Sequence, residues 1–308
     1  MTLFRTLLVL ALAFTSTLAS AQAISVPELG RDFRTIQAAV DAIGDGEGTV
    51  LLAPGTYRQC AVQTAGVVTF RASTVGTAIL DGTACEGKAA LVLRGEGANV
   101  EGLVFQNIRT ADHNGAGIRL ERGDLSVLHS YFRASEQGIL SANDHQGDVG
   151  IEQSTFSRLG GCDYGNCSHS IYLNGTGTLT VLRSRFERGT GGHYVKSRMP
   201  HAEIVDNMFD DTQGRATNYM IDLSAGATGR IADNVFIQGE NKENYSAFIA
   251  VAAEAQDNPS AGLAINANTA RIAPGVSRDT FFVADWSGAR LALGRNTLGQ
   301  GVAPYERR

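Results

Sequence analysis

Val181-Leu-Arg-Ser-Arg-Phe186 and Ile204-Val-Asp-Asn-Met-Phe209 share one six-residue pattern. An apolar residue is followed by two variable ones, a Ser or Asn, one more variable residue, and a second apolar residue. The pattern recurs as Val127-Leu-His-Ser-Tyr-Phe132, Ile151-Glu-Gln-Ser-Thr-Phe156 and Ile231-Ala-Asp-Asn-Val-Phe236. Weaker forms are Val100-Glu-Gly-Leu-Val-Phe105, Ile265-Asn-Ala-Asn-Thr-Ala270 and Leu293-Gly-Arg-Asn-Thr-Leu298. Successive starts lie 27, 24, 30, 23, 27, 34 and 28 residues apart. Each copy is too short for a helix and alternates like a strand. A fixed period of this length is the signature of a repeat architecture.

Between copies lies a second strand-like run. It reads Gly117-Ile-Arg-Leu120, Gly138-Ile-Leu-Ser141, Ser170-Ile-Tyr-Leu173, Tyr194-Val-Lys-Ser197, Met220-Ile-Asp-Leu223, Phe248-Ile-Ala-Val251 and Phe281-Phe-Val-Ala284. Each repeat therefore holds at least two short strands and glycine-rich turns. One coil cannot bury its apolar face alone, whereas stacked neighbours build a continuous core. The expected fold is all-β, a right-handed parallel β-helix in a single domain over residues 24–308. Phe105, Phe132, Phe156, Phe186, Phe209 and Phe236 would form an internal ladder. Asn207, Asn234, Asn268 and Asn296 would stack amide on amide at a turn. A sandwich of antiparallel hairpins, the competing fold, predicts no such positional repeat.

A solenoid must cap its open strand edges. Thr35-Ile-Gln-Ala-Ala-Val-Asp-Ala-Ile43 supplies an N-terminal capping helix. Thr35 suits the N-cap, Ile36, Ala39, Val40 and Ile43 share one face, and Gly44 ends the helix.

Composition agrees. The 308 residues include 36 glycines and 7% aromatics, with 43% hydrophobic and 19% charged residues. This is too apolar for a disordered chain, and the glycines lack the period of collagen. The net charge is −5 and no basic run occurs, so nucleic acid is excluded as a partner. There are 23 arginines and only three lysines, Lys88, Lys196 and Lys242.

Residues 1–23 read as a secretory signal peptide, with Arg5, the apolar run Leu7–Phe14 and small residues before a cleavage point after Ala21 or Ala23. A secreted or periplasmic location is expected, without a membrane span after cleavage. In an oxidising compartment, Cys60, Cys85, Cys162 and Cys167 form disulfides. Three pairings are possible, and the preferred one is Cys60–Cys85 with Cys162–Cys167. Zinc is disfavoured because the short CxxC spacing is absent.

The run Phe33-Arg-Thr-Ile-Gln-Ala-Ala-Val-Asp-Ala, followed by Val50-Leu-Leu-Ala-Pro-Gly-Thr-Tyr57, resembles the first coils of right-handed parallel β-helix proteins of the pectate-lyase-like superfamily. With the repeats, the resemblance covers about residues 31–301. It is specific for fold. For function it is broad, because lyases, hydrolases, epimerases and non-catalytic adhesins share the fold.

In the second strand-like run, the apolar positions set the parity. The outward column reads Arg119, Leu140, Tyr172, Lys196, Asp222 and Ala250. Two residues further on it reads Glu121, Ala142, Asn174, Arg198, Ser224 and Ala252. His169, His193 and Tyr219 sit in register just before these strands. An outward column of this kind is expected to tolerate alanine at Lys196 or His193 without loss of stability.

This set suits an acidic polysaccharide. Arg198 or Lys196 would neutralise a uronate carboxylate, which makes the proton at C5 acidic. Lys196, His193 or Tyr172 would remove that proton, and Tyr172 or Tyr219 would protonate the leaving oxygen. The outcome is β-elimination or epimerisation. The resemblance implies such roles for Lys and Arg, with Ca²⁺ in some families. No cofactor is required by this reading. Ca²⁺ at Asp112, Asn114 or Asp144, or a metal on His169, His193 and Asp222, has no supporting ligand spacing. Departures from the families are clear. The Asp-Pro-His-Asp motif of mannuronan epimerases is absent, and so is an acid cluster like a pectate-lyase calcium site.

Two alternatives belong to other classes. A glycoside hydrolase would pair Asp222 with Glu254, Asp206, Asp112 or Asp144. A non-catalytic carbohydrate-binding or envelope-structural β-helix would use the same face without proton transfer. Then Lys196 and Asp222 would be an ordinary cross-strand pair.

Overall fold

The computed structural model describes residues 23–162 and 167–308. The expected signal peptide, apart from Ala23, and the interior of the Cys162–Cys167 loop lie outside them. Parallel strands stack coil upon coil into three long sheets. The first sheet has twelve strands, and the second and third have ten each. Parallel strands joined by crossovers take the right-handed path, which gives a right-handed parallel β-helix.

Each coil contributes three strands, where the repeat suggested at least two. The six-residue pattern is a corner rather than one strand. In Val127–Phe132 the chain leaves the first-sheet strand Asp124–Leu128, turns at His129 and Ser130, and enters the second-sheet strand Tyr131–Arg133. The turn residue takes the left-handed conformation in successive coils, with φ of 49° at His129, 47° at Gln153, 47° at Arg183, 57° at Asp206 and 59° at Asp233. A strand-like alternation survives because the corner restores inward orientation on its far side.

The next residue of the pattern holds the corners together. Ser184 N donates to Asn207 Oδ1 at 2.8 Å, Asn207 N to Asn234 Oδ1 at 2.9 Å, and Asn234 N to Asn268 Oδ1 at 3.0 Å. The Asn side chains also bond amide to amide, at 3.0 Å from Asn207 to Asn234 and from Asn234 to Asn268. The hydroxyls of Ser154 and Ser184 extend the same ladder, accepting from Ser130 N and Ser154 N. Inside, the six phenylalanines stack face to face with centroids 4.7–4.9 Å apart. All six are buried in one core that reaches from Ile24 to Val302.

The helix Ile36–Ile43 closes the N-terminal end. Thr35 Oγ1 accepts from Ala38 N at 3.1 Å. Ile36, Ala39 and Val40 are buried. Gln37 satisfies both backbone groups of Val62 on the exposed edge of the third sheet, at 2.7 and 2.9 Å. The adjoining Cys60–Cys85 disulfide pins that strand to the next coil.

Candidate functional site

The third sheet runs through Gln137–Ser141, Ile171–Leu173, Val195–Ser197, Ile221–Leu223 and Ala247–Val251. Its register aligns Arg119, Leu140, Tyr172, Lys196, Asp222 and Ala250 in one column. Ile171, Val195 and Ile221 face the core on either side of that column. The alternation read from the apolar positions therefore places all of these side chains outside the solenoid.

Outside the solenoid is not the same as in water. Lys196 is 8% exposed and Asp222 only 2%. The chain after Val251 folds back over the column. Glu254 N and Ala255 N donate to Ser224 O, and Asn258 Nδ2 donates to Arg198 O at 3.0 Å and Gly226 O at 3.1 Å. This return anchors its backbone on the neighbouring coil and leaves the Glu254 side chain to reach across the column.

Glu254 meets both cations. Its Oε1 lies 2.5 Å from Lys196 Nζ, and its Oε2 accepts from Arg198 Nη2. Lys196 Nζ also lies 4.0 Å from Asp222 Oδ2 and 5.1 Å from the centre of the Tyr172 ring. Arg198 Nε donates to the Tyr172 hydroxyl oxygen at 3.2 Å. Ser224 Oγ donates to Asp222 Oδ2 at 2.7 Å, while Asp222 Oδ1 is buried without a hydrogen bond. Burial pushes the Asp222 carboxyl up to about 6, against the pull of Lys196 and the Ser224 bond.

His169, His193 and Tyr219 stack beside this column. Ring centroids are 5.0 Å apart between the histidines and 5.6 Å between His193 and Tyr219. His193 N–H donates to His169 Nδ1 at 2.9 Å, so that nitrogen carries no proton. The approach depends on Gly192, at φ +60°, where a Cβ would sit 2.1 Å from Ser168 O and 2.7 Å from His169 Nδ1. Burial, with the Lys196 charge second, brings the His193 imidazole down to about 3. Burial also holds His169 well below the usual imidazole range. Both rings are neutral at pH 7. His193 Nε2 lies 3.5 Å from Asp222 Oδ2. Tyr219 packs in an apolar cluster with Ala247, Ala250 and Ala284, its hydroxyl facing Ser246.

The site residues thus divide into three groups. Tyr172, Lys196, Arg198, Asp222 and His193 come together. Arg119 and Asn174 lie on the N-terminal side and line a depression beside Tyr172. His169 and Tyr219 form the wall behind. The second disulfide, Cys162–Cys167, leads directly into His169 along that wall. Among the described residues, no group of three or more His, Cys, Asp or Glu has the geometry of a metal site.

Two features escaped the sequence reading. The first is how Glu254 reaches the column; the only trace is the 34-residue gap between Ile231 and Ile265, which leaves extra chain for the return. The second is a buried network behind His193. Lys242 Nζ lies 3.0 Å from Asp211 Oδ2, both side chains are fully buried, and Tyr194 Oη donates to Asp211 Oδ1 at 2.6 Å. Tyr194 opens one copy of the second strand-like run, but Asp211 and Lys242 lie outside every repeat copy.

No family model matches the chain, and no curated protein matches it. Several solved structures share its course. The deglycosylated pectin methylesterase of Aspergillus niger superposes with a TM-score of 0.53 at 11% identity, over 89% of this chain and 86% of that one. The ORF18 protein of Geobacillus virus E2 superposes with a TM-score of 0.53 at 14% identity. It is matched over 88% of this chain and 56% of its own, so this chain spans a little over half its length. At these identities the likeness shows the fold alone, a parallel β-helix.

Proposed function

We propose that this right-handed parallel β-helix acts on a uronate-containing polysaccharide by removing the C5 proton, leading to β-elimination or epimerisation. One observation carries the reading. A carboxylate, that of Glu254, already sits between Lys196 and Arg198, next to the Tyr172 hydroxyl. A substrate carboxylate that displaces Glu254 finds the same two cations, and its sugar ring lies over Tyr172.

Each group then has a part. Lys196 and Arg198 neutralise the uronate carboxylate and stabilise the enolate that forms when C5 loses its proton. Lys196 is flanked by Glu254 and Asp222, which suits a cation better than a base. The neutral, deeply buried His193 is a poor base at its lowered position, and it supports Asp222 instead. Tyr172 remains. Its oxygen accepts from Arg198, and among the described residues its own proton has no acceptor. Once it has given its own proton to solvent, its oxygen takes the C5 proton. The C5 electrons form the C4–C5 double bond, the C4–O bond breaks, and the phenol returns its proton to the leaving oxygen. Epimerisation returns a proton to the opposite face of C5 instead.

A second reading rests on a specific contact. Asp222 and Glu254 both approach Lys196 Nζ, which supplies the carboxyl pair that a glycosidase needs. Asp222, held near 6, would be the acid and Glu254 the base. The two disulfides fit an oxidising compartment, so we place the protein outside the cytoplasm.

The experiment is incubation with alginate, pectate and glycosaminoglycan panels. An unsaturated uronate chromophore, or a change in uronate epimer content, supports C5 chemistry. New reducing ends without the chromophore support hydrolysis. Binding without any product leaves a carbohydrate-binding β-helix and rejects both enzymes.

A further inference from the structure

The chain enters His193 through Gly189-Thr-Gly-Gly192, a turn with a single side chain of its own. That side chain is spent on the preceding coil, where Thr190 Oγ1 donates to Gly160 O at 2.7 Å. The turn nevertheless decides where the His193 ring lies, and with it the 3.5 Å approach of His193 Nε2 to Asp222 Oδ2. A run of glycines has many conformations open to it, so its single course needs support from outside the turn.

The Asp211 carboxylate is that support. Its Oδ1 accepts from Tyr194 Oη at 2.6 Å, and Tyr194 Oη in turn accepts from Gly189 N at 3.0 Å. Its Oδ2 accepts from Thr217 Oγ1 at 2.7 Å and from Lys242 Nζ at 3.0 Å. Thr217 is bridged to Gly192, and Asn218 N donates to Gly192 O at 2.8 Å. One carboxylate thus reaches the start of the glycine turn through Tyr194 and its end through Thr217. The packing is close: a Cβ at Gly189 would sit 2.7 Å from Thr217 Cγ2 and 3.0 Å from the Tyr194 ring.

The Asp211 and Lys242 side chains are fully buried, and Lys242 Nζ also donates to Thr217 Oγ1 at 3.0 Å. A buried ion pair is often no more stabilising than apolar residues of the same volume. What this one adds is direction, because each of its hydrogen bonds is met in one arrangement of the turn. Lys196, Lys242 and Asp222 are the charges around His193, whose ring is stacked between His169 and Tyr219.

We propose that Asp211, neutralised by Lys242, is a positioning residue for the clamp. It sets the glycine turn, the turn sets the His193 ring, and the ring holds Asp222 beside Lys196. The effect on turnover rests on the C5-proton reading, whereas the placement of His193 does not depend on it.

The test reads the imidazole nitrogens of the full chain by ¹⁵N NMR at pH 7, with His169→Gln and His193→Gln assigning the signals. Steady-state kinetics on the polyuronate that proves active runs beside it. Tyr194→Phe and Thr217→Val each cut one arm of the support and keep the shape of the side chain. Both are expected to shift the His169 Nδ1 and His193 Nε2 signals and to lower kcat about tenfold. KM stays within about twofold, since Lys196 and Arg198 remain in place. Thr217→Ser keeps the hydroxyl and should restore both readouts, which also keeps the test valid where Tyr194→Phe fails to fold. Asn234→Ala, which weakens the solenoid at a remote corner, should lower the melting temperature and move neither. Parent-like signals and kcat in Thr217→Val, or a change in one readout without the other, overturn the positioning role. Shifted signals in a protein that turns over no polyuronate uphold the placement of His193 and reject the proposed function.

Discussion

Lys196 Nζ lies 2.5 Å from Glu254 Oε1, although the two residues are 58 apart in the chain. The contact closes a carboxylate clamp that Arg198 completes. Glu254 is the exposed member, its side chain 39% accessible, while the Lys196 side chain is 10% accessible. The carboxylate is therefore the exchangeable partner, and the cation is the fixed one.

Replacing Glu254 separates the two chemistries. If a substrate carboxylate must displace it, Glu254→Ala lowers KM for a polyuronate severalfold and leaves kcat within about twofold. If Glu254 is the base of a hydrolase, the same variant loses turnover by at least about a hundredfold. Steady-state kinetics on the polymer that proves active distinguishes the outcomes.

Lys196→Met is expected to abolish activity and also to affect stability, because the residue is buried against Asp222. Burial already raises Asp222 to about 6, above its unfolded value near 3.9. A raised folded pKa stabilises at low pH, and that contribution is lost as pH rises through the folded value. Without Lys196 the Asp222 value climbs further. The variant should match the parent in thermal melting near pH 4 and fall progressively below it toward pH 8. An equal deficit at both pH values contradicts this linkage.

The buried histidines act in the opposite direction. His193 is held at about 3 and His169 well below its usual range, whereas unfolded imidazoles titrate near 6.5. Their contribution is fully present above pH 6.5 and is lost as pH falls from there toward the folded values. Thermal melts from pH 7.5 to 4.5 should show this decline. A His169→Gln variant, whose side-chain oxygen can accept the His193 N–H, should flatten part of it.

The ladders fix the cost of breaking one rung. Phe209→Ala removes a fully buried ring stacked between Phe186 and Phe236 and should cost about 3–5 kcal/mol. Asn234→Ala strands the N–H of Asn207 and its side-chain amide, at about 1–3 kcal/mol. Asn234→Ser should cost less, since Ser154 and Ser184 already accept from the preceding coil's backbone. Denaturant unfolding of the three variants ranks them.

Sequence periodicity carried most of the fold because a solenoid writes its contacts as a positional repeat. The Phe and Asn ladders, the helix cap and the outward column were all legible that way. The corner at His129 and its equivalents was not, since a left-handed turn residue can be of almost any type outside β-branched ones. Burial of Lys196 and Asp222 was hidden for another reason. It depends on the chain after Val251 folding back, and that segment has no counterpart in the other coils. Sequence parity tells which way a side chain leaves the sheet, whereas its solvation is set by what else reaches the spot.

Proton NMR of a polyuronate incubated with the protein in D₂O tests the central claim most directly. The account predicts loss of the C5–H signal, through either deuterium at C5 or a C4–C5 double bond, and no loss with Tyr172→Phe. Retention of C5–H while new reducing ends appear, or recovery of unchanged polymer from a protein that binds it, would contradict the account.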